Sequence, residues 1–216
     1  GTNYNTMILK TPNLLTDEII EFVVGSDKFM PHFHIPLQSG SDKILKLMRR
    51  KYLTELYRHR VEKIKSLMPH ACIGVDVIVG FPGETHEQFL ETYNFINELN
   101  VSYLHVFTYS ERANTKALNI SPVVPMPERK ERNKMLRILS EKKKRKFYAD
   151  NINSKRKVLF EAETEGEMRY GFTDNYIKVA LREQDDLWNS IKTVSLNEVS
   201  DFGYVKGTEH LEYSLA

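Results

Sequence analysis

The sequence predicts an α/β domain followed by a small all-β module. Strand-like apolar runs alternate with amphipathic helical stretches through the first two-thirds. One long charged helix follows, and beyond it the pattern changes to short alternating strands separated by Gly and Asp-Asn turns. The boundary falls near residue 150, giving an α/β domain over 1–150 and a β-barrel module over 151–212.

The elements follow in order. "TDEIIEFVVGS" reads as a short helix capped by Thr16 or Asp17, with Ile19, Ile20, Phe22 and Val23 on its apolar side and Gly25 at its end. "HFHIPL" (32–37) is a strand. Ser41 opens a helix in "SDKILKLMRRK", with Ile44, Leu45 and Met48 on one face, and "TELYRHRVEKIKSLM" is a second amphipathic helix closed by Pro69. "CIGVDVIVGF" (72–81) is nearly all apolar or small, as expected of a parallel strand covered on both faces. Thr85 and Gln88 are spaced as a capping box at the head of the next helix. "VSYLHVFTYS" (101–110) is an aromatic-rich strand, and 126–152 is one helix entered through Pro127. Strand, helix, strand, helix, strand at this spacing makes right-handed βαβ units, in a barrel or a doubly wound sheet.

Composition narrows the function classes. With 41% hydrophobic and 28% charged residues the chain has enough apolar material for a core. No apolar run approaches the ~18 residues of a membrane span, so no membrane partner is expected. Cys72 is the single cysteine, which excludes an internal disulfide and any cysteine-built metal cluster made by this chain alone; a reducing cytoplasm is the default compartment. The net charge of +2 is unevenly spread. Residues 1–127 carry 13 basic and 13 acidic side chains, 128–157 carry 13 and 4, and 158–216 carry 5 and 12. A basic belt between a neutral and an acidic part suits a polyanion such as RNA, or else a solvated helix face.

Three strand ends carry polar groups: Gln38 and Ser39, with Arg50 one helix later; Asp76 within 72–81, followed by "GFPGET"; and Tyr109 to Arg112. Ligands of α/β folds sit at such ends. Asp76 in an apolar strand must be paired or used. "GFPGET" has no Lys and so no phosphate-loop signature. His32 and His34 read as packing or hydrogen-bonding residues.

"HIPLQSGSDKILKLMRRKY", "DVIVGFPGETHEQFLET" and "FTYSERANTKA" resemble three consecutive blocks of the radical S-adenosylmethionine methylthiotransferases, in the family's order. The resemblance covers nearly the whole chain, and the β module looks like the family's TRAM domain. It implies the second half of a partial TIM-like barrel that binds S-adenosylmethionine. By position, Gln38 would face the ribose, Arg50 the methionine carboxylate, Asp76 the ribose hydroxyls, and the Ile78–Gly80 backbone the adenine, with Ser39 and Tyr109 as further cofactor-binding residues on the same rim. An arginine fork suits a carboxylate. The family's clusters are two [4Fe–4S] groups held by cysteines absent here. The chain is therefore expected to be the C-terminal piece of a longer protein whose N-terminal cluster domain is its partner, inactive alone and with apolar strand edges exposed.

The family's substrates are a ribosomal-protein aspartate or a tRNA adenosine beside the anticodon. "GFTDNYIKVAL" resembles the branch acting on N6-threonylcarbamoyladenosine. The tRNA anticodon stem-loop would then meet the belt (Lys142, Lys143, Lys144, Arg145, Lys146, Lys155, Arg156, Lys157) and Arg112, with Tyr170, Phe172 and Tyr176 as stacking candidates. Spacing of two at 170 and 172 equally suits a strand face turned into the barrel. An ordinary barrel lyase would need a Schiff-base Lys or metal ligands at strand ends, which the sequence does not offer; a pure RNA-binding protein would keep the belt without Gln38, Arg50 and Asp76.

Overall fold

The computed structural model describes residues 5–184 and 186–210. Residues 2–4, read as mid-barrel sequence, and 211–212, the expected end of the β module, lie outside the described residues. Four parallel strands, β1 (Asn5–Ile8), β2 (Phe29–His34), β3 (Cys72–Val79) and β4 (Tyr103–Thr108), lie side by side in chain order. Helix α1 (Asp17–Val24) joins the first two, α2 (Asp42–Leu47) and α3 (Thr54–Leu67) the next two, and α4 (His86–Glu98) the last two. Helix α5 (Met126–Asp150) follows, with proline in its first turn.

Strand β3 shows why the sheet has two unlike faces. Ile73, Val75, Val77 and Val79 are completely buried, packed with Ile20, Tyr57, Val61, Ile64, Phe89, Ile96 and Leu136 of the helices. The alternate residues Gly74, Asp76 and Ile78 point the other way, beside Tyr103, His105 and Phe107 of β4. The expectation of a strand covered on both faces is thus half met: Asp76 and Ile78 are only partly buried, and Phe107 is 53% exposed. Near the sheet's two edges Ile8 and Phe107 present apolar side chains to solvent.

Strand β2 begins three residues before His32 and ends at His34. Pro36 has no N–H to donate, so the regular ladder stops there. Extended backbone nevertheless continues, since Ile35 N donates to Gly74 O and Leu37 N and Gln38 N to Asp76 O. Thr16 caps α1, and Thr85 with Gln88 forms the complete capping box of α4. Phe22, expected on the apolar side of α1, is instead exposed and meets Phe29 edge-on. Ser41 stands at the N-cap of α2 but makes no cap bond; its hydroxyl donates to Glu91.

Strands β5 (Lys155–Glu165), β6 (Met168–Thr173), β7 (Lys178–Arg182), β8 (Ile191–Val199) and β9 (Val205–Glu209) close into a barrel in the order β5-β6-β7-β9-β8. Val158, Phe160, Ile177, Val179, Val194, Leu196 and Val205 fill it. Its core continues into Phe147 and Tyr148 of α5 and Cys72 of β3, so the barrel sits directly on the sheet's lower end. Asn175, fully buried, rivets the junction: its amide donates to His70 O (2.9 Å) and Asn151 Oδ1 (3.0 Å), and its carbonyl accepts from Thr173.

Candidate functional site

A cavity of about 530 Å³ opens at the carboxyl ends of β3 and β4, lined by Arg50, Ile78, Phe81 and Tyr109 on one side and Lys116 and Ile120 on the other. Its position follows from local chain chemistry. Helix α2 ends in a Schellman turn, with Arg49 N donating to Lys46 O and Arg50 N to Leu45 O. Arg49 holds the left-handed position usually given to glycine (φ 56°), which delivers Arg50 to the cavity wall. Gln38 is also left-handed (φ 72°). Its Oε1 accepts from Arg50 Nη2 at 3.3 Å, while Arg50 Nε is buried with no hydrogen-bond partner among the described residues. Non-glycine residues at positive φ carry strain that gathers at functional sites.

The floor of the cavity is held from behind by two residues the sequence reading had counted only as belt charge. Arg129 Nε donates to Val124 O (2.7 Å), Nη1 to Tyr109 O (2.9 Å) and Nη2 to Glu111 (2.6 Å), and its guanidinium covers the Tyr109 ring. Gly80 (φ 75°) has to be glycine, because a Cβ there would lie 2.3 Å from Arg129 Cγ. Gly80 N donates to Glu84 Oε2 (2.7 Å), which also accepts from Arg132 Nη1 at 2.5 Å. Arg132 is further bonded to Glu128. A spacing of three on one helix face was the signal that Arg129 and Arg132 act together.

Of the expected cofactor residues, Arg50, Ile78 and Tyr109 line one cavity, and Gln38 touches Arg50. Ser39 does not face it: the residue is fully buried and its hydroxyl is paired with Thr92. Asp76 is likewise not in the lining. It lies on the open sheet face, its Oδ1 2.9 Å from His34 Nε2, with His105 beside it in register on β4. The bonding role read for His34 is thus with Asp76.

The belt is more engaged than its charge suggests. Lys143 caps α4 by donating to Asn97 O (3.0 Å) and Leu99 O (2.6 Å); burial, then Lys142 and Lys146, bring its pKa down to about 8. Lys144 pairs with Glu141, Arg145 with Asp201, Lys146 with Asp150 and Arg156 with Asp174, while Lys155 contacts His210. Lys142 and Lys157 are exposed without an ion-pair partner among the described residues, and Arg112 is exposed in the loop beyond Tyr109. Tyr170 is a barrel residue, 6% exposed and edge-on to Tyr204, because its strand turns that face inward. Phe172 and Tyr176 are different. Tyr176, left-handed at φ 65°, stacks on Phe172 (5.1 Å) and on His32 of the sheet (4.4 Å).

His32 completes that stack and bonds Tyr103 Oη at 3.0 Å. Burial, then His34 and His105, push its pKa from the usual 6.5 down to about 4. The folded state therefore binds fewer protons than the unfolded between about pH 6.5 and 4, and stability falls as pH drops through that window. Acidification from pH 7 to 4 should cost about 2–3 kcal/mol through this residue. Urea midpoints of wild type and His32→Gln at both pH values measure it, and an equal acid loss in the two would remove His32 as the cause.

A parallel sheet with its cavity at the carboxyl strand ends has that cavity where α/β folds bind their ligands. Residues 2–96 match the family model of the radical SAM superfamily. The chain is 43% identical over 84% of its length to threonylcarbamoyladenosine tRNA methylthiotransferase MtaB of Bacillus subtilis, covering 41% of that protein. It is 33% identical over 90% of its length to tRNA-2-methylthio-N(6)-dimethylallyladenosine synthase of Lachnoclostridium phytofermentans, covering 43%. Among solved structures, the radical SAM enzyme coproporphyrinogen III oxidase (HemN) of Escherichia coli superposes with a TM-score of 0.51 at 19% identity, over 60% of this chain and 30% of that one, a likeness of fold. The chain thus matches the radical SAM superfamily over residues 2–96, and these curated relatives it is similar to are named as tRNA-modifying enzymes. It spans about two-fifths of the length of the curated relatives it matches.

Proposed function

We propose that the chain is the S-adenosylmethionine-binding and RNA-gripping portion of a tRNA methylthiotransferase acting at C2 of N6-threonylcarbamoyladenosine beside the anticodon. The observation that carries the cofactor half is Arg50: a cavity-lining guanidinium whose buried Nε has no partner among the described residues, oriented through Nη2 by Gln38. Such a fork is the donor a methionine carboxylate needs. Ile78, Phe81 and Tyr109 offer apolar and aromatic walls for a flat adenine. Bound there, S-adenosylmethionine supplies the methyl group and the radical chemistry. This chain's residues bind it, fix its carboxylate and shield its base from water.

The iron–sulfur clusters do not fit the residues present. Cys72 is buried at the junction, and burial pushes its thiol up to about 12, so no thiolate faces the cavity. Cluster binding belongs in this reading to another segment of the parent protein. The β-barrel serves as a TRAM-like grip. Phe172, at the end of its stack with Tyr176 and His32, and the exposed edge of Tyr176 present the aromatic surface, while Lys142, Lys157 and Arg112 present charge to phosphates. The threonylcarbamoyl substrate is favoured by the "GFTDNYI" segment and by the MtaB relatives.

In the cluster-bearing parent protein, Arg50→Ala should weaken S-adenosylmethionine binding by about 1.5–3 kcal/mol. Iron content should be unchanged. Titration of the cofactor measures the difference; equal affinity in the variant would return Arg50 to the role of a surface arginine.

A further inference from the structure

The open face of the sheet carries a polar cluster that the cavity does not use. His34 of β2, Asp76 of β3 and His105 of β4 come from three adjacent strands, and their nearest ligand atoms all lie within 4.8 Å of one another. The backbone fixes this meeting: His34 pairs with Gly74, two residues before Asp76, and Asp76 pairs with His105. The rung below is Gly74 and Tyr103, and the rung above is Ile78 and Phe107. A single band of two imidazoles and a carboxylate is therefore bracketed by aromatic and aliphatic side chains.

An ion pair accounts for only part of the cluster. His34 Nε2 and Asp76 Oδ1 satisfy each other at 2.9 Å. His105 has ring contacts with His34 (5.4 Å) and Tyr103 (5.2 Å) but no hydrogen-bond partner among the described residues. Asp76 retains its second carboxylate oxygen beside it.

We propose that His34, Asp76 and His105 bind one divalent first-row transition ion. Two imidazole nitrogens and one carboxylate oxygen are a donor set for Zn²⁺ or Fe²⁺. Bonds of about 2.0–2.1 Å put two tetrahedral ligands roughly 3.3 Å apart, so closure needs a movement of about an ångström or more. His105 is exposed, which leaves space for that movement. All three ligands approach from the sheet, which leaves the fourth position pointing away from it. There the ion would hold an oxygen, nitrogen or sulfur of a ligand. Asp76 does not line the cavity, and the cofactor contacts proposed above do not draw on it.

The test is calorimetric titration of the chelator-treated chain with Zn²⁺, repeated with Co²⁺ and read by its visible absorption. One ion per chain is expected. Asp76→Asn and His105→Gln should each weaken binding by about tenfold or more. His59→Gln, which alters a separate exposed His–Asp pair with Asp17, should leave it unchanged. His105→Gln is decisive, because an exposed side chain can be changed without unfolding the sheet. No heat up to millimolar Zn²⁺, or binding that His105→Gln does not weaken, would overturn the assignment and leave His34–Asp76 a plain ion pair.

Discussion

Replacing Arg132 by methionine should destabilise the chain by about 3–5 kcal/mol, because it strands a buried carboxylate. Arg132 is 3% exposed, and its partner Glu84 is equally enclosed. Glu84 Oε1 and Arg132 Nε have no partner among the described residues, so the pair is not ideally satisfied even when intact. Replacing both, as Glu84→Leu with Arg132→Met, should accordingly recover much of the loss. Burial already raises the Glu84 pKa against the pull of Gly80 N–H and Arg132. Without Arg132 it rises further, so the folded variant holds a proton that the unfolded chain releases, and stability is lost as pH climbs from the ordinary glutamate range. The variant's deficit should thus be smaller at pH 5 than at pH 7.5. Urea unfolding at the two values checks both magnitude and sign; a loss under about 1 kcal/mol with no pH trend would mean that the pair contributes little.

Phe160→Ala should cost about 3–5 kcal/mol by opening a void in the barrel. Phe160 is fully buried among Val158, Ile177, Val194 and Leu196. Because Cys72, Phe147 and Tyr148 belong to the same cluster, the damage should reach the foot of the sheet. Hydrogen exchange should show faster amides in β5–β9 and in β3 near Cys72, with α1 and β1 least affected. Unchanged exchange in β3 would mean that barrel and sheet unfold independently.

The strand and helix pattern was legible because periodicity records burial. Odd residues of β3 face helices and are all branched, and Thr85–Gln88 announces its own cap. The end of β2 was misplaced because Pro36 interrupts the ladder while the chain stays extended, so apolar character outlasts hydrogen bonding. Gln38, Arg50 and Tyr109 were legible as strand-end polar groups. Ser39 and Asp76 were not separable from them, since sequence position gives the rim but not which side chain is already engaged. Belt charges carry a related limit of what sequence position records. A count of lysines cannot show that Lys143 is bonded to the end of α4 or that Arg129 and Arg132 are turned inward. The left-handed backbone of Gln38, Arg49 and Tyr176 left no sequence signal, because none is glycine or asparagine.

The junction built by Asn175 and the His32–Tyr176–Phe172 stack fixes a length. Side-chain bonds, stacked rings and a continuous core hold the barrel against the sheet. A polymer that lies across both would be gauged as by a calliper, with one jaw on the barrel's aromatic rim and the other at the cavity mouth. Which of its units reaches the cavity would then be decided by the separation of the two jaws, not by recognition of that unit alone.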